Sequence, residues 1–136
     1  MPAKIKIFLI EDDQDDKELL EVALTDNGVD FSLDAINRGD LIISWLQNNQ
    51  VIPDVIIMDL NLPKLHGREV ICKIKEVDKY KKVPFLVLTT SSSPEDKSYC
   101  FDKGADQFVS KPSDTEGFAM LSQIIVEMAS KKKIPG

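Results

Sequence analysis

The strongest constraint on this chain is an alternation. Short apolar runs, each stopped by polar or acidic residues, take turns with stretches whose apolar residues recur at helical spacing. Ile5–Ile10 is nearly continuously apolar and stops at Glu11-Asp12-Asp13, as fits a strand covered on both faces. Over residues 15–27, Leu19, Leu20, Ala23 and Leu24 share one helical side, with acids in the first turn and Asn27-Gly28 as the stop. Phe31–Ile36 reads as the second strand, and Leu41, Ile42, Trp45 and Leu46 mark a second helix closed by polar residues before Pro53. Residues 55–58, ending at Asp59, form the most apolar strand. A proline-containing loop over 60–66 then leads to a helix over 67–77 with Val70, Ile71, Ile74 and Val77 on one face. Residues 83–88 are the fourth strand, and Ser93 and Pro94 cap and start a helix that Gly104 ends. Gln107–Ser110 is the fifth strand. Ser113 and Glu116 make a capping box for a last helix bearing Leu121, Ile124, Ile125 and Met128.

Five strands alternating with five helices predict an α/β fold in which a parallel sheet is wound with helices on both faces. At 136 residues the chain suits one domain, expected over 1–130, with a flexible basic tail over 131–136 and no effector domain. A net charge of −6 disfavours nucleic acid and anionic membrane as partners. No run of eighteen apolar residues and no cleavage signal is present, so a cytoplasmic location is expected. Cys72 and Cys100 lie far apart inside apolar patterns and read as buried free thiols. Trp45 reads as core, and His66 as a loop residue. Neither a GKS/T phosphate loop nor a GxGxxG turn occurs, which disfavours nucleotide binding.

In a wound α/β sheet, ligands sit beyond the carboxyl ends of the strands. Those ends carry Glu11 and Asp12, Asp59, Thr89 and Lys111. Singly, each has an ordinary reading as strand terminator, cap or surface charge. Jointly, three carboxylates in one crevice repel one another unless a cation or a proton is present. Oxygen donors without paired histidine or cysteine point to magnesium, which favours one or two carboxylates plus a phosphate. Lys111 and Thr89 then suit phosphoryl oxygens, and Asp59 is placed to act as a nucleophile toward phosphorus.

The segments IEDD at 10–13, MDLNLPKLHG at 58–67, LTT at 88–90 and KGADQFVSKP at 103–112 together resemble the receiver domain of two-component response regulators, the CheY-like superfamily. The resemblance spans essentially the whole chain. DLNLPKLHGREV, LVLTTSS and SKPSD are especially similar to stand-alone regulators paired with bacterial phytochromes and other histidine kinases. It implies a flavodoxin-like (βα)5 fold. It also implies that Asp59 accepts a phosphoryl group from a histidine kinase or histidine phosphotransfer protein and later releases it to water. Magnesium, for which manganese could substitute, would be bound by Asp12, Asp59 and the Asn61 backbone carbonyl, with Glu11 assisting through water. Thr89 and Lys111 would bind the phosphoryl oxygens, and Lys111-Pro112 would be a cis peptide.

The aromatic switch position of that family is Phe108, which has no hydroxyl to bond a displaced Thr89. Thr90 stands where alanine is commonest, which would narrow phosphoryl access. Asp13 reads as a helix-start residue. Output would come from an unknown downstream protein, on a face for which Lys97, Cys100, Phe101 and Phe108 are candidates. Both a monomer and a phosphorylation-linked homodimer fit the pattern. The alternatives are a pseudo-receiver that docks without taking phosphate, against which the complete Asp12, Asp59, Thr89, Lys111 set argues, and a metal-dependent phosphatase, whose acid spacing Glu11 and Asp13 mimic only loosely.

Overall fold

The computed structural model describes residues 4–11, 13–36, 41–48, 52–60, 67–90 and 93–132. The elements run β1 (Ile5–Ile10), α1 (Gln14–Asp26), β2 (Phe31–Ile36), α2 (Ile42–Asn48), β3 (Val55–Asp59), α3 (Gly67–Glu76), a 3-10 turn (Asp78–Tyr80), β4 (Phe85–Thr89), α4 (Pro94–Asp102), β5 (Gln107–Ser110) and α5 (Thr115–Lys132). All strand pairs are parallel and the order is β2-β1-β3-β4-β5, the doubly wound, flavodoxin-like arrangement. The order changes direction between β1 and β3, which leaves a crevice beyond their carboxyl ends.

Alternate strand residues split into two cores. Ile7, Leu9, Val55, Ile57, Leu86 and Leu88 pack with Leu20, Ala23 and Leu24 of α1 and with Phe118, Leu121, Ile125 and Met128 of α5. Phe8, Ile10, Ile56, Met58, Phe85 and Val87 pack with residues of α2, α3 and α4. Every residue of β3 and β4 is buried, so these strands need apolar side chains throughout, and their polar terminal residues stand out. Trp45 is half-buried and stacks on Phe8 with ring centroids 4.3 Å apart.

Several expectations are corrected. Leu19 is 45% exposed, because it lies about a quarter-turn from the stripe that Leu20, Ala23 and Leu24 press on the sheet. Leu41 is exposed just ahead of α2. β4 starts at Phe85 rather than 83, because the Val83 N–H closes the preceding turn on the Tyr80 carbonyl and Pro84 has no N–H to give. The cap of α5 is Asp114, whose carboxylate accepts from Gly117 N at 2.8 Å, one position beyond the expected Ser113. That helix continues to Lys132, two residues past the expected domain end. Cys100 is buried as expected, but Cys72 is only half-buried, with Sγ 3.3 Å from the Tyr99 hydroxyl. The Lys111-Pro112 bond is trans, the form that X–Pro bonds favour by about 0.5–1 kcal/mol where nothing opposes it.

Two glycines end helices with the same pair of backbone bonds. After α1, Gly28 N donates to Thr25 O and Val29 N to Leu24 O; after α4, Gly104 N donates to Phe101 O and Ala105 N to Cys100 O. Both glycines have positive φ, +72° and +116°. A Cβ at position 28 meets open space, whereas at 104 it lies 3.1 Å from the Lys75 side chain. Gly28→Ala should therefore cost about 1 kcal/mol of unfolding free energy in urea, and Gly104→Ala measurably more. Equal costs would show that Lys75 gives way freely.

Candidate functional site

Four of the expected residues come together at the carboxyl edge of the sheet. Glu11 follows β1, Asp59 ends β3, Thr89 ends β4 and Lys111 follows β5. Backbone pairing sets their depth: Asp59 is in register with Leu88 and Thr89 with Ser110, and Lys111 N donates to Thr89 O at 2.9 Å. From that anchor the Lys111 side chain crosses β4, and its Nζ donates to Asp59 Oδ2 at 2.8 Å. Glu11 Oε2 lies 3.0 Å from the same nitrogen. Thr89 is fully buried, and Phe108 is half-buried against the core formed with α2, α3 and α4. Asp12, Asn61 and His66 lie outside the described residues.

A residue not expected from the sequence completes the arrangement. Asp16 Oδ2 is 2.7 Å from Lys111 Nζ, the shortest of its three carboxylate contacts. Asp16 sits in the first turn of α1, where an acid is normally read as complementing the helix dipole. Its neighbour Asp13 has the helix-start role expected of it: the Asp13 carboxylate accepts from Asp15 N at 2.9 Å and Asp16 N at 3.2 Å. The Asp13 N–H in turn donates to Glu11 Oε1 at 3.1 Å, so one cap fixes both Glu11 and the first turn that carries Asp16. The one available signal for Asp16 was a pair of adjacent acids opening a helix that starts beside the acidic strand end.

The electrostatics follow from burial. Side chains of Glu11 and Asp59 are only 2% and 5% exposed, against 23% for Asp16. Desolvation pushes the Glu11 carboxyl up to about 7; the Asp13 N–H and Lys111 oppose the rise and the Asp59 charge reinforces it. Burial by itself would lower the Lys111 pKa, but Asp16, Asp59 and Glu11 together outweigh it and hold the ammonium above the usual lysine range. Among the described residues no three acidic, histidine or cysteine side chains are arranged to hold a metal by themselves. The donor set still suits a hard divalent cation, since it offers oxygens only and sets three carboxylates against one ammonium.

The family model for the response regulator receiver domain matches residues 7–122. Response regulator Rcp1 of Synechocystis sp. is 33% identical over 115 residues, which is 81% of this chain and 78% of that protein. The DNA-binding dual master transcriptional regulator RpaA of the same organism is 32% identical over 132 residues, 96% of this chain but 52% of its own length. The solved structure of the phosphorylated cyanobacterial phytochrome response regulator RcpA is similar with a TM-score of 0.85 and 30% identity, covering 97% of this chain and 98% of that one. The Mn(2+)-bound form of response regulator Rcp1 gives 0.83 at 28% identity, covering 97% and 99%. Among the described residues no helix is long and apolar enough to cross a membrane.

The raised Glu11 pKa has a signed consequence. Between its ordinary value of 4.5 and about 7 the folded state retains a proton that the unfolded state has lost, so this group removes stability as pH rises through that window. In metal-free protein, the stability of Glu11→Gln relative to wild type should therefore improve by about 1–3 kcal/mol from pH 4.5 to pH 8, read from urea midpoints. A difference independent of pH would show that Glu11 titrates alike in the folded and unfolded chain.

Proposed function

The chain belongs to the response regulator receiver domain family of two-component systems, and we propose that it is a phosphoacceptor switch acting through Asp59. Receiver domains are phosphorylated by sensor histidine kinases, and the family binds Mg2+ at its active site. The observation that carries the proposal is the 2.8 Å contact of the Lys111 ammonium with Asp59 Oδ2, at the buried end of a central strand beside the β1/β3 crevice. A carboxylate so placed has a rigid backbone, little competing water and a cation ready for the charge of an incoming phosphoryl group.

In the proposed reaction an Asp59 carboxylate oxygen attacks the phosphorus of a phosphohistidine, on a kinase or a histidine phosphotransfer protein. The P–O bond forms as the P–N bond breaks, and the electron pair leaves on the imidazole nitrogen. Lys111 and the Thr89 hydroxyl bind the phosphoryl oxygens. Asp12, Asp59 and the Asn61 carbonyl would hold Mg2+, with Glu11 assisting through water, and the cation would neutralise charge on the transferring group. Water later attacks the acyl phosphate, releasing inorganic phosphate and restoring the carboxylate. Manganese is proposed as a substitute, in keeping with the Mn(2+)-bound form of Rcp1.

The added charge would draw Thr89 and Lys111 inward and let Phe108 rotate, reshaping the face formed by α4, β5 and α5 for a downstream protein. Lys97 and Phe101 are exposed there, Phe101 by 42%, and suit such a face. Cys100 does not: it is fully buried in the core, so the expectation that placed it on the surface is corrected.

Intact mass spectrometry with a small phosphodonor and Mg2+ tests the reading. Wild type should gain one base-labile phosphoryl group, and Asp59→Asn, or wild type in chelator, should gain none. An equal gain by Asp59→Asn would move the acceptor elsewhere.

A further inference from the structure

An ammonium has three N–H donors. Three carboxylate oxygens, of Asp16, Asp59 and Glu11, lie 2.7, 2.8 and 3.0 Å from Lys111 Nζ. The lysine is therefore saturated at rest, and a phosphoryl oxygen can reach it only by displacing one of these partners. The three are not equivalent. Asp59 carries the incoming group and so keeps it beside the lysine, while Glu11 is almost wholly buried, where a carboxylate that loses its ammonium is poorly compensated. Glu11 is also pinned by the Asp13 N–H. Asp16 is the most exposed of the three, so water can take over its solvation when the contact opens. It is also carried by a helix turn rather than a strand end. Helix α1 does not need this carboxylate for its own start, because Asp13 supplies the cap and Asp15 a second first-turn acid.

We infer that Asp16 is a positioning residue that acts through Lys111: it holds the ammonium at rest and is the partner that gives way when a phosphoryl oxygen arrives. Its strength as a partner then sets how readily the site takes up the phosphoryl group. This rests on Asp59 being the phosphoacceptor, and predicts that weakening Asp16 tightens binding at the site.

Two readouts separate the claims. Beryllofluoride in Mg2+, a reversible phosphoryl mimic, is titrated into wild type, Asp16→Asn and Asp16→Glu. In parallel, the hydrogen-exchange rate of the Lys111 ammonium is followed by 1H–15N NMR without beryllofluoride. Asp16→Asn should bind the mimic roughly threefold to tenfold more tightly. Its Lys111 ammonium should exchange faster, because one of three acceptors is weakened. Asp16→Glu, which keeps a carboxylate in reach, should return both readouts toward wild type. Tighter binding with unchanged exchange would mean that Asp16 acts by charge repulsion alone, and overturns the inference. Unchanged or weaker binding overturns it as well. If wild type itself binds no beryllofluoride, the Asp59 reading fails, and exchange then decides on Asp16 alone: faster exchange in Asp16→Asn keeps its hold on Lys111, and an unchanged rate ends it.

Discussion

The site is organised by charge that cannot be left unbalanced. Two carboxylates, Glu11 and Asp59, are taken almost entirely out of water side by side, and one ammonium reaching across from the end of β5 makes them compatible. The consequences run in both directions. Lys111 gains more from its carboxylates than burial takes from it, so it stays charged, whereas Glu11 keeps its proton to a pH well above that of an exposed glutamate. With three carboxylates on one ammonium, a centre of this kind is short of positive charge, which a divalent cation from outside would supply.

Topology makes that balance possible. Glu11, Asp59 and Lys111 are far apart in the chain, and a parallel sheet brings them to one edge because every strand points the same way. The β2-β1-β3-β4-β5 order makes β1 and β3 neighbours, which sets the two acids side by side. It also puts β5 two strands from β3, a span that the extended lysine side chain covers. Apolar residues on both faces of β3 and β4 make this a rigid frame, since the two cores share the same strands.

Much of this was legible in the sequence, for identifiable reasons. Ile5–Ile10, Phe31–Ile36 and Gln107–Ser110 have the bounds expected of them because each ends at a polar or turn residue that a strand cannot absorb. Glu11, Asp59 and Thr89 could be picked out because polar residues that end buried strands have no packing reason to be there, and Lys111 because it follows the next strand at the same edge. What stayed hidden depends on the third dimension. Leu19 has the right residue type, but its angle to the sheet places it outside the core. Asp16 looks like an ordinary first-turn acid until the start of α1 is seen beside Lys111. Strand order has no local signal, and the cap of α5 fell one residue away because Ser113 and Asp114 are both competent caps.

The sheet ends at β5, its shortest strand, which is hydrogen-bonded along one flank only and has no fully buried residue. Phe108 belongs to that strand and Lys111 extends from it, whereas Glu11 and Asp59 are seated on strands bonded on both sides. Segments held this lightly open at lower free energy than the core around them. The molecule thus has a stiff part that carries the acids and a compliant part that carries the cation, and the ion pair between Lys111 and Asp59 spans the seam. A change of charge on the stiff side would therefore be felt first on the lightly held one.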